Sequence, residues 1–335
     1  MNCDSIIIIV GHIAILERVS MKQYVVHLPI SFKGWIMEGI ARDSAVAIGI
    51  QPRFRFFAER KRDYLRLKVL LGLFNYKKSR VHIFMHHRTY WKYANQVVGK
   101  RHLFITHIDH PDDLTSERWQ GFVLPDCVIT QNSQTAGLAQ NIGIDKAKIL
   151  IGYGGVSRSQ YFPVSNLGLQ APFALIVGDC KPRKNPEFLR EVIIGLPNIN
   201  FVIHGTGWLN YIVGDEGIPK NLKIIEFRQG ENPRLMREAS VLLSVATKEG
   251  GPFPVLEALA SGTPVVATPT GFCSEIVSTG RGVLLSPTPE ISEVQKAIME
   301  AFSLKAKVAT KDLLDGQLKW DEFGFKLYFG RGTSV

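Results

Sequence analysis

Residues 247–268 read TKEGGPFPVLEALASGTPVVAT. Two glutamates, Glu249 and Glu257, stand eight positions apart with Gly-Gly-Pro-Phe-Pro between them. Gly250 and Gly251 permit backbone angles that other residues resist, while Pro252 and Pro254 suit a helix's first turn but not its interior. The apolar run Val255, Leu256, Ala258, Leu259 predicts a buried helix, closed by Gly262 and Pro264. "PVVATP" then predicts a strand. Glu249 is thereby expected on a loop at a helix N-terminus and Glu257 within that helix's first turns. Helix N-termini attract anions through free N–H groups and the dipole. A carboxylate on each side of that pole could grip the hydroxyls of a phosphate-bearing ligand. A simple capping arrangement with a solvated glutamate would leave the same trace, so the rest of the chain has to decide.

Outward from this stretch, short apolar strands alternate with helical patterns. The first half offers "KQYVVHLPI", "SAVAIGI", "VHIFMHH", "RHLFITHID", "DCVITQN" and "KAKILIGYGGV" as strands, with amphipathic "DLTSERWQGF" and "SQTAGLAQNIG" between them. The second half offers "FALIVGD", "INFVIHGTG", "LKIIEFRQ", "VLLSVAT", "PVVATP" and "RGVLLSP". Such β-branched, nearly continuous runs are expected of parallel strands buried on both faces. "YFPVSNLGLQAP", residues 161–172, reads as a linker. Two doubly wound α/β domains follow, with ligands expected at strand carboxyl ends facing a central cleft.

A chain of 335 residues exceeds what one hydrophobic core usually supports. Apolar content of 45% and charged content of 21% exclude a disordered or low-complexity chain. Cys3, Cys127, Cys180 and Cys273 are scattered with no CxxC pair, which suits a reducing compartment and argues against a disulfide framework or a zinc ribbon. The apolar run at residues 6–16 falls short of the roughly 20 residues a membrane helix needs and lacks the basic flank of a secretion signal. Residues 1–20 read either as an upstream extension before Met21 or as an extra element packed on the domain. Net charge is +10, and residues 33–101 carry 16 Lys/Arg against 4 Asp/Glu, so the remainder is close to neutral. Within them "RFRFFAERKRDYLRLKVLLGLF" predicts a basic amphipathic helix, with Arg60, Lys61, Arg62, Arg66 and Lys68 beside apolar positions. It suggests an anionic membrane surface or anionic acceptor, or else a solvated face over ordinary core positions.

The opening stretch resembles the E-x7-E region of the retaining GT-B glycosyltransferases of family 4, the glycosyl transferases group 1 type. Other pieces resemble that family in the same order. "NIGIDKAKILIGYGGVSRSQYFP" is similar to its inter-domain segment and "LIVGDCKPRKNPEFL" to the strand and basic loop that open its C-terminal domain. "TPTGFCSEIVSTGRGVLL" is similar to its Gly-x-x-x-Glu turn, with Gly271, and to its final strand. "KWDEFGFKLY" is similar to its closing helix. The resemblance covers residues 22–330 and is weaker before residue 100. It implies a GT-B fold of two Rossmann-like domains, residues 21–165 on the acceptor side and 166–308 on the nucleotide-sugar side. Residues 309–335 would form a helix returning to the first domain.

The resemblance also implies roles. Glu249 would contact the donor sugar's hydroxyls and Glu257 the ribose hydroxyls of the nucleotide, tasks that suit carboxylates because they accept two hydrogen bonds from a vicinal diol. Lys184 would neutralise the diphosphate. His107, in "FITHIDHPDD", matches the family's strand-end histidine facing the donor sugar. Gly34, in "SFKGWIMEG", is the candidate for the glycine turn near the diphosphate. Gly205 in "HGTGWL" and Arg228 after "LKIIEF" would line the nucleotide and place its base. Gly250, Gly251, Phe253, Pro254 and Gly271 complete the donor-binding set. One departure stands out: Asp179 follows Gly178 where the family has an arginine, and Lys181 or Arg183 is left to supply the second cation.

The expected reaction is transfer of a sugar from a UDP- or GDP-sugar to a carbohydrate or lipid-linked acceptor, retaining the anomeric configuration. No cofactor or metal is expected, and no nucleic-acid partner. The expected location is the cytoplasm, with a peripheral seat on the cytoplasmic membrane face. Rivals are a sugar-nucleotide epimerase, a non-catalytic sugar-nucleotide-binding subunit, and a metal-dependent hydrolase built on His107, Asp109, His110, Asp112 and Asp113.

Overall fold

Runs of β-branched and aromatic residues form two six-stranded sheets, and every strand pairing in both is parallel. The computed structural model describes residues 23–29, 36–57, 80–86, 90, 102–108, 114, 125–164, 172–212, 217–228, 230–278, 280–308 and 311–330. Among them, those up to Thr130, Ala136–Gly152 and those from Trp320 onward make one compact unit. Gln131–Thr135 and Tyr153–Lys319 make a second.

In the first unit, β1 (Gln23–Pro29), β2 (Arg53–Phe57), β3 (Arg80–Phe84), β4 (His102–Ile108), β5 (Cys127–Thr130) and β6 (Ile149–Ile151) lie in the order β2-β1-β3-β4-β5-β6. Helix α1 (Ile36–Ala47) follows β1, and α2 (Ser133–Asn141) follows β5. Two sequence expectations are corrected here. "SAVAIGI" is not a strand: its first residues finish α1, where Met37, Ile40, Ala41, Ser44 and Ala45 are all buried at helical spacing. Short apolar runs are ambiguous in this way, and the buried face continues upstream. "RFRFF" is a strand, β2, rather than the start of a basic helix, with Arg and Phe alternating at the period of two that strands require. The rest of that basic stretch, residues 1–20, most of the linker, and "DLTSERWQGF" apart from Leu114 lie outside the described residues.

The second unit holds β7 (Phe173–Val177), α3 (Pro186–Gly195), β8 (Asn200–His204), α4 (Leu209–Ile212), β9 (Leu222–Ile225), α5 (Asn232–Glu238), β10 (Val241–Ser244), α6 (Phe253–Ala260), β11 (Val265–Ala267), α7 (Cys273–Ile276), β12 (Gly282–Leu284) and α8 (Ile291–Val308). Its sheet order is β12-β11-β10-β7-β8-β9. Leu189, Val192, Phe201, Trp208, Leu243, Val294 and Ile298 form the core between sheet and helices. No helix among the described residues is long and apolar enough to cross a membrane.

The last helix, α9 (Trp320–Phe329), packs within the first unit against α1, β3 and β4. Gly324 permits the approach, since a Cβ there would lie 2.5 Å from Ser44 O. Tyr328 Oη donates to Ala41 O at 2.7 Å, and Lys326 Nζ donates to Ile151 O at 2.9 Å.

Candidate functional site

The second sheet reverses its winding between β7 and β10. From β7 the chain runs outward through β8 and β9, and from β10 it runs the other way through β11 and β12. Such a switch point leaves a crevice beyond the strands' carboxyl ends. A cavity is found there, lined by Ile176, Val177, Lys184, Trp208, Ala246 and Pro252 among others.

The loop after β7 is shaped by close backbone approaches. Gly178 has φ +119°, its N–H donates to His204 O at 3.0 Å, and its carbonyl accepts from Trp208 Nε1 at 2.7 Å. Gly205 is required beside it, because a Cβ would come within 2.0 Å of Gly178 O. The loop then makes a 3-10 turn over Pro182–Lys184, takes the left-handed conformation at Asn185, and enters α3 with Pro186 in its first turn. The Lys184 side chain folds back toward Gly178, its Cε 3.6 Å from where a Cβ would stand. From the loop after β10, Thr247 N donates to Arg183 O at 2.9 Å and ties the two loops side by side.

This pairing brings three charges together. Glu249 Oε1 lies 2.5 Å from Lys184 Nζ, and Glu249 Oε2 lies 2.5 Å from Arg183 Nη1. Glu249 is buried, so its charge would be costly without those partners. The cluster carries one net positive charge where the crevice opens. Asp179 does not join it: Thr206 Oγ1 donates to its Oδ1 at 2.5 Å and Thr206 N at 3.3 Å. Lys181 is exposed.

The segment into α6 follows the sequence reading in outline, with one correction of cause. Neither Gly250 nor Gly251 has a positive φ. Gly251 is needed for space, since a Cβ would lie 2.7 Å from the Gln131 side chain, and Gly250 O accepts from Asn132 Nδ2 at 2.7 Å. Pro252 caps α6 without a side-chain bond, and Pro254 sits in its first turn and lines the cavity. Phe253 is buried against Gly154, where a Cβ would stand 2.7 Å from its ring. Gly271, at φ +58°, packs its turn on Gly250 O. Behind it the Cys273 thiol is pushed up to about 12 by burial, with Glu249 adding to the rise.

Glu257, one turn into α6, is half-buried, with the Tyr161 hydroxyl near its carboxyl. Burial pushes its carboxyl up to about 7, with the nearby Tyr161 hydroxyl acting in the lowering direction. Arg228 is exposed, and its backbone N–H donates to His204 Nε2 at 3.2 Å. His107 belongs to the first unit, where it is fully buried in β4 with its ring edge-on to Phe323 at 5.9 Å. Gly34, Asp109, His110, Asp112 and Asp113 lie outside the described residues. Sequence reasoning missed Tyr161, which it placed at the head of the linker, along with Asn232, His204 and Thr206. No local signal marked them, because their partners come from distant strands and turns.

Comparison with known proteins follows the same division. Residues 157–311 match the family model described as "Glycosyl transferases group 1". A protein of Methanocaldococcus jannaschii described as an uncharacterized glycosyltransferase is 28% identical over 162 residues, 47% of this chain and 45% of its own length. The matched stretch is thus less than half of that relative. Among solved structures, the Anabaena protein HepE in complex with UDP superposes with a TM-score of 0.69 at 16% identity, covering 92% of this chain and 96% of that one. HepE has also been solved with UDP and glucose. A glycosyltransferase of Rickettsia africae gives 0.68 at 14% identity, covering 92% and 94%. The fold is GT-B.

Proposed function

We propose that the chain is a glycosyltransferase that moves a sugar from a nucleoside-diphosphate sugar to an acceptor hydroxyl, retaining the anomeric configuration and using no catalytic metal. The observation that carries this reading is the Lys184–Glu249–Arg183 cluster at the switch point, with Glu257 on the helix that follows. During transfer the leaving diphosphate gains negative charge while the sugar becomes oxocarbenium-like. Lys184 and Arg183 are placed to meet the first change as preorganised electrostatic catalysts. Arg183, rather than exposed Lys181, is the second cation, because it already shares a carboxylate with Lys184. A bound diphosphate would draw both cations and leave Glu249 to accept hydrogen bonds from the sugar's hydroxyls. Glu257 takes the ribose diol. Glu249 orients the sugar and is not a nucleophile. The resemblance gives His107 the role of contacting the donor sugar. The UDP and glucose bound by the Anabaena protein support a UDP-sugar donor, with GDP the alternative. The acceptor is a carbohydrate or lipid-linked hydroxyl, reached in the cytoplasm at an anionic membrane surface that the basic segment favours.

Calorimetry with UDP, GDP, ADP and their sugar conjugates, without added metal, tests this. One nucleotide should bind the wild type, and Lys184→Ala and Glu257→Ala should each weaken it by about tenfold or more. No binding by any nucleotide would overturn the reading. Asp179 favours a second one, a non-catalytic sugar-nucleotide-binding subunit, because it sets a carboxylate on Thr206 where the resemblance implies an arginine. Nucleotide binding without transfer to any acceptor would select it.

A further inference from the structure

Gly250, the residue after Glu249, is held by a side chain whose orientation the backbone decides. Asn132 stands just before α2, where Thr135 N donates to its Oδ1 at 2.7 Å in the manner of a helix N-cap. A main-chain N–H only donates, so the oxygen of this amide faces Thr135 and its nitrogen faces the other way. There Asn132 Nδ2 donates to Gly250 O at 2.7 Å. Asn132 is 1% exposed, so the bond is made away from water, where an unmet amide or carbonyl is costly. Gly250 O is confined further by Gly271, where a Cβ would lie 2.7 Å from it, and the Gln131 side chain stands against Gly251. Glu275, in α7 just beyond Gly271, closes the circuit. Its Oε1 accepts from Ser133 N at 2.8 Å and Ser133 Oγ at 2.9 Å, and its Oε2 accepts from Tyr153 Oη at 2.7 Å. All these residues belong to the second unit.

We propose that Asn132 is a positioning residue that fixes Gly250, and through it the Glu249 carboxylate, for contact with the donor sugar. This rests on the reading of Glu249 as the group that orients the sugar. In the free site Lys184 and Arg183 stand at the two carboxylate oxygens. Once a diphosphate draws those cations, the main chain is left to keep Glu249 in place. Gly250 and Gly251 give that main chain little stiffness of their own, because glycine has the widest choice of backbone angles. The Asn132 bond and the contacts of Gly271 and Gln131 supply it. Hydrogen bonds weaken steeply when misdirected, so a shift of roughly 1 Å in the carboxylate is enough to lose the sugar's hydroxyls. The groups assigned to the nucleotide lie outside this circuit, on the turn over Pro182–Lys184 and on α6. Loosening Gly250 therefore acts on the sugar and spares the nucleotide.

Asn132→Ser tests this, because serine keeps an oxygen to cap α2 and loses the amide that reaches Gly250. The first readout needs no ligand. In full-length protein labelled with 13C and 15N, the Gly250 carbonyl carbon of Asn132→Ser should move upfield as its hydrogen bond is lost, while the Thr135 amide stays protected from exchange. The second readout is calorimetry with UDP or GDP, whichever the wild type binds, and with its tightest-binding sugar conjugate. Asn132→Ser should weaken the conjugate by about five- to tenfold and the bare nucleotide by less than about twofold. Asn132→Asp also keeps the cap but turns an acceptor toward Gly250 O, and should weaken the conjugate further. A merely structural role would weaken nucleotide and conjugate alike. That outcome, an unchanged affinity for the conjugate, or an unmoved Gly250 carbonyl in the folded variants would each overturn the proposal. Wild-type protein that binds no nucleotide, while the Gly250 carbonyl still moves in Asn132→Ser, would overturn the proposed function and leave the anchoring of the Glu249 loop standing.

Discussion

At the scale of single residues, the site stores unfavourable free energy in Glu257. An ordinary unfolded glutamate titrates near 4.5, whereas the folded carboxyl titrates at about 7 because burial disfavours its charge. The folded state therefore binds more protons than the unfolded state between those values, and stability falls as pH rises through them. The loss amounts to about 3 kcal/mol by pH 8. Glu257→Gln, which keeps the shape of the side chain without its charge, should remove this dependence. Its thermal midpoint should match wild type near pH 4 and exceed it at pH 8, while nucleotide affinity drops. Equal pH profiles for the two proteins would mean that Glu257 is not a buried, destabilised carboxylate. Glu249 differs in its partners, since Lys184 and Arg183 stand at its two oxygens. Glu249, Lys184 and Arg183 were each singled out in sequence because they lie in contiguous motifs, whereas their pairing with one another appears only in the fold. The hydrogen bond between His204 and Asn232 was not legible either, because it depends on β8 and α5 being neighbours in space.

At the scale of elements, the strongest sequence signals were those with a stop written into them. Helix α6 ends in a motif in which Gly262 N donates to Leu259 O at 3.1 Å and Thr263 N to Ala258 O at 2.9 Å. Gly262 has φ +70°, where any Cβ is strained. Gly137 stands inside α2 with nothing within 4 Å of where a Cβ would go. The two glycines should respond oppositely to the same substitution. Gly262→Ala should lower stability by about 1 kcal/mol, whereas Gly137→Ala should raise it by about 0.5–1 kcal/mol, as read from denaturant midpoints at constant m. A loss at Gly137 would mean its helix is not the one described. The misread elements lacked such punctuation: "SAVAIGI" is apolar by either period, and only the buried face running back to Met37 assigns it to a helix.

At the scale of the whole molecule, two parallel sheets were legible from alternation alone, because strands buried on both faces must be apolar almost throughout. The charge distribution was equally plain. The chain carries +10, and the excess of 16 Lys/Arg over 4 Asp/Glu within residues 33–101 accounts for all of it. What that charge serves is a matter of chemistry and not of fold, since a sugar-nucleotide site needs only the few cations gathered around Glu249. Under the proposed function, the partner of that basic stretch of sequence is an anionic surface carrying the acceptor. Vesicles containing about 30% anionic lipid should retain the protein at low salt, with roughly 1 kcal/mol gained per basic residue near the surface. Retention should fade as ionic strength approaches 0.15 M, where screening acts beyond about 8 Å, and vesicles of neutral lipid should not retain it. Failure to bind anionic vesicles at low salt would remove the membrane surface from the proposal. Donor chemistry would be untouched, and the acceptor would then be sought among soluble, negatively charged carbohydrates.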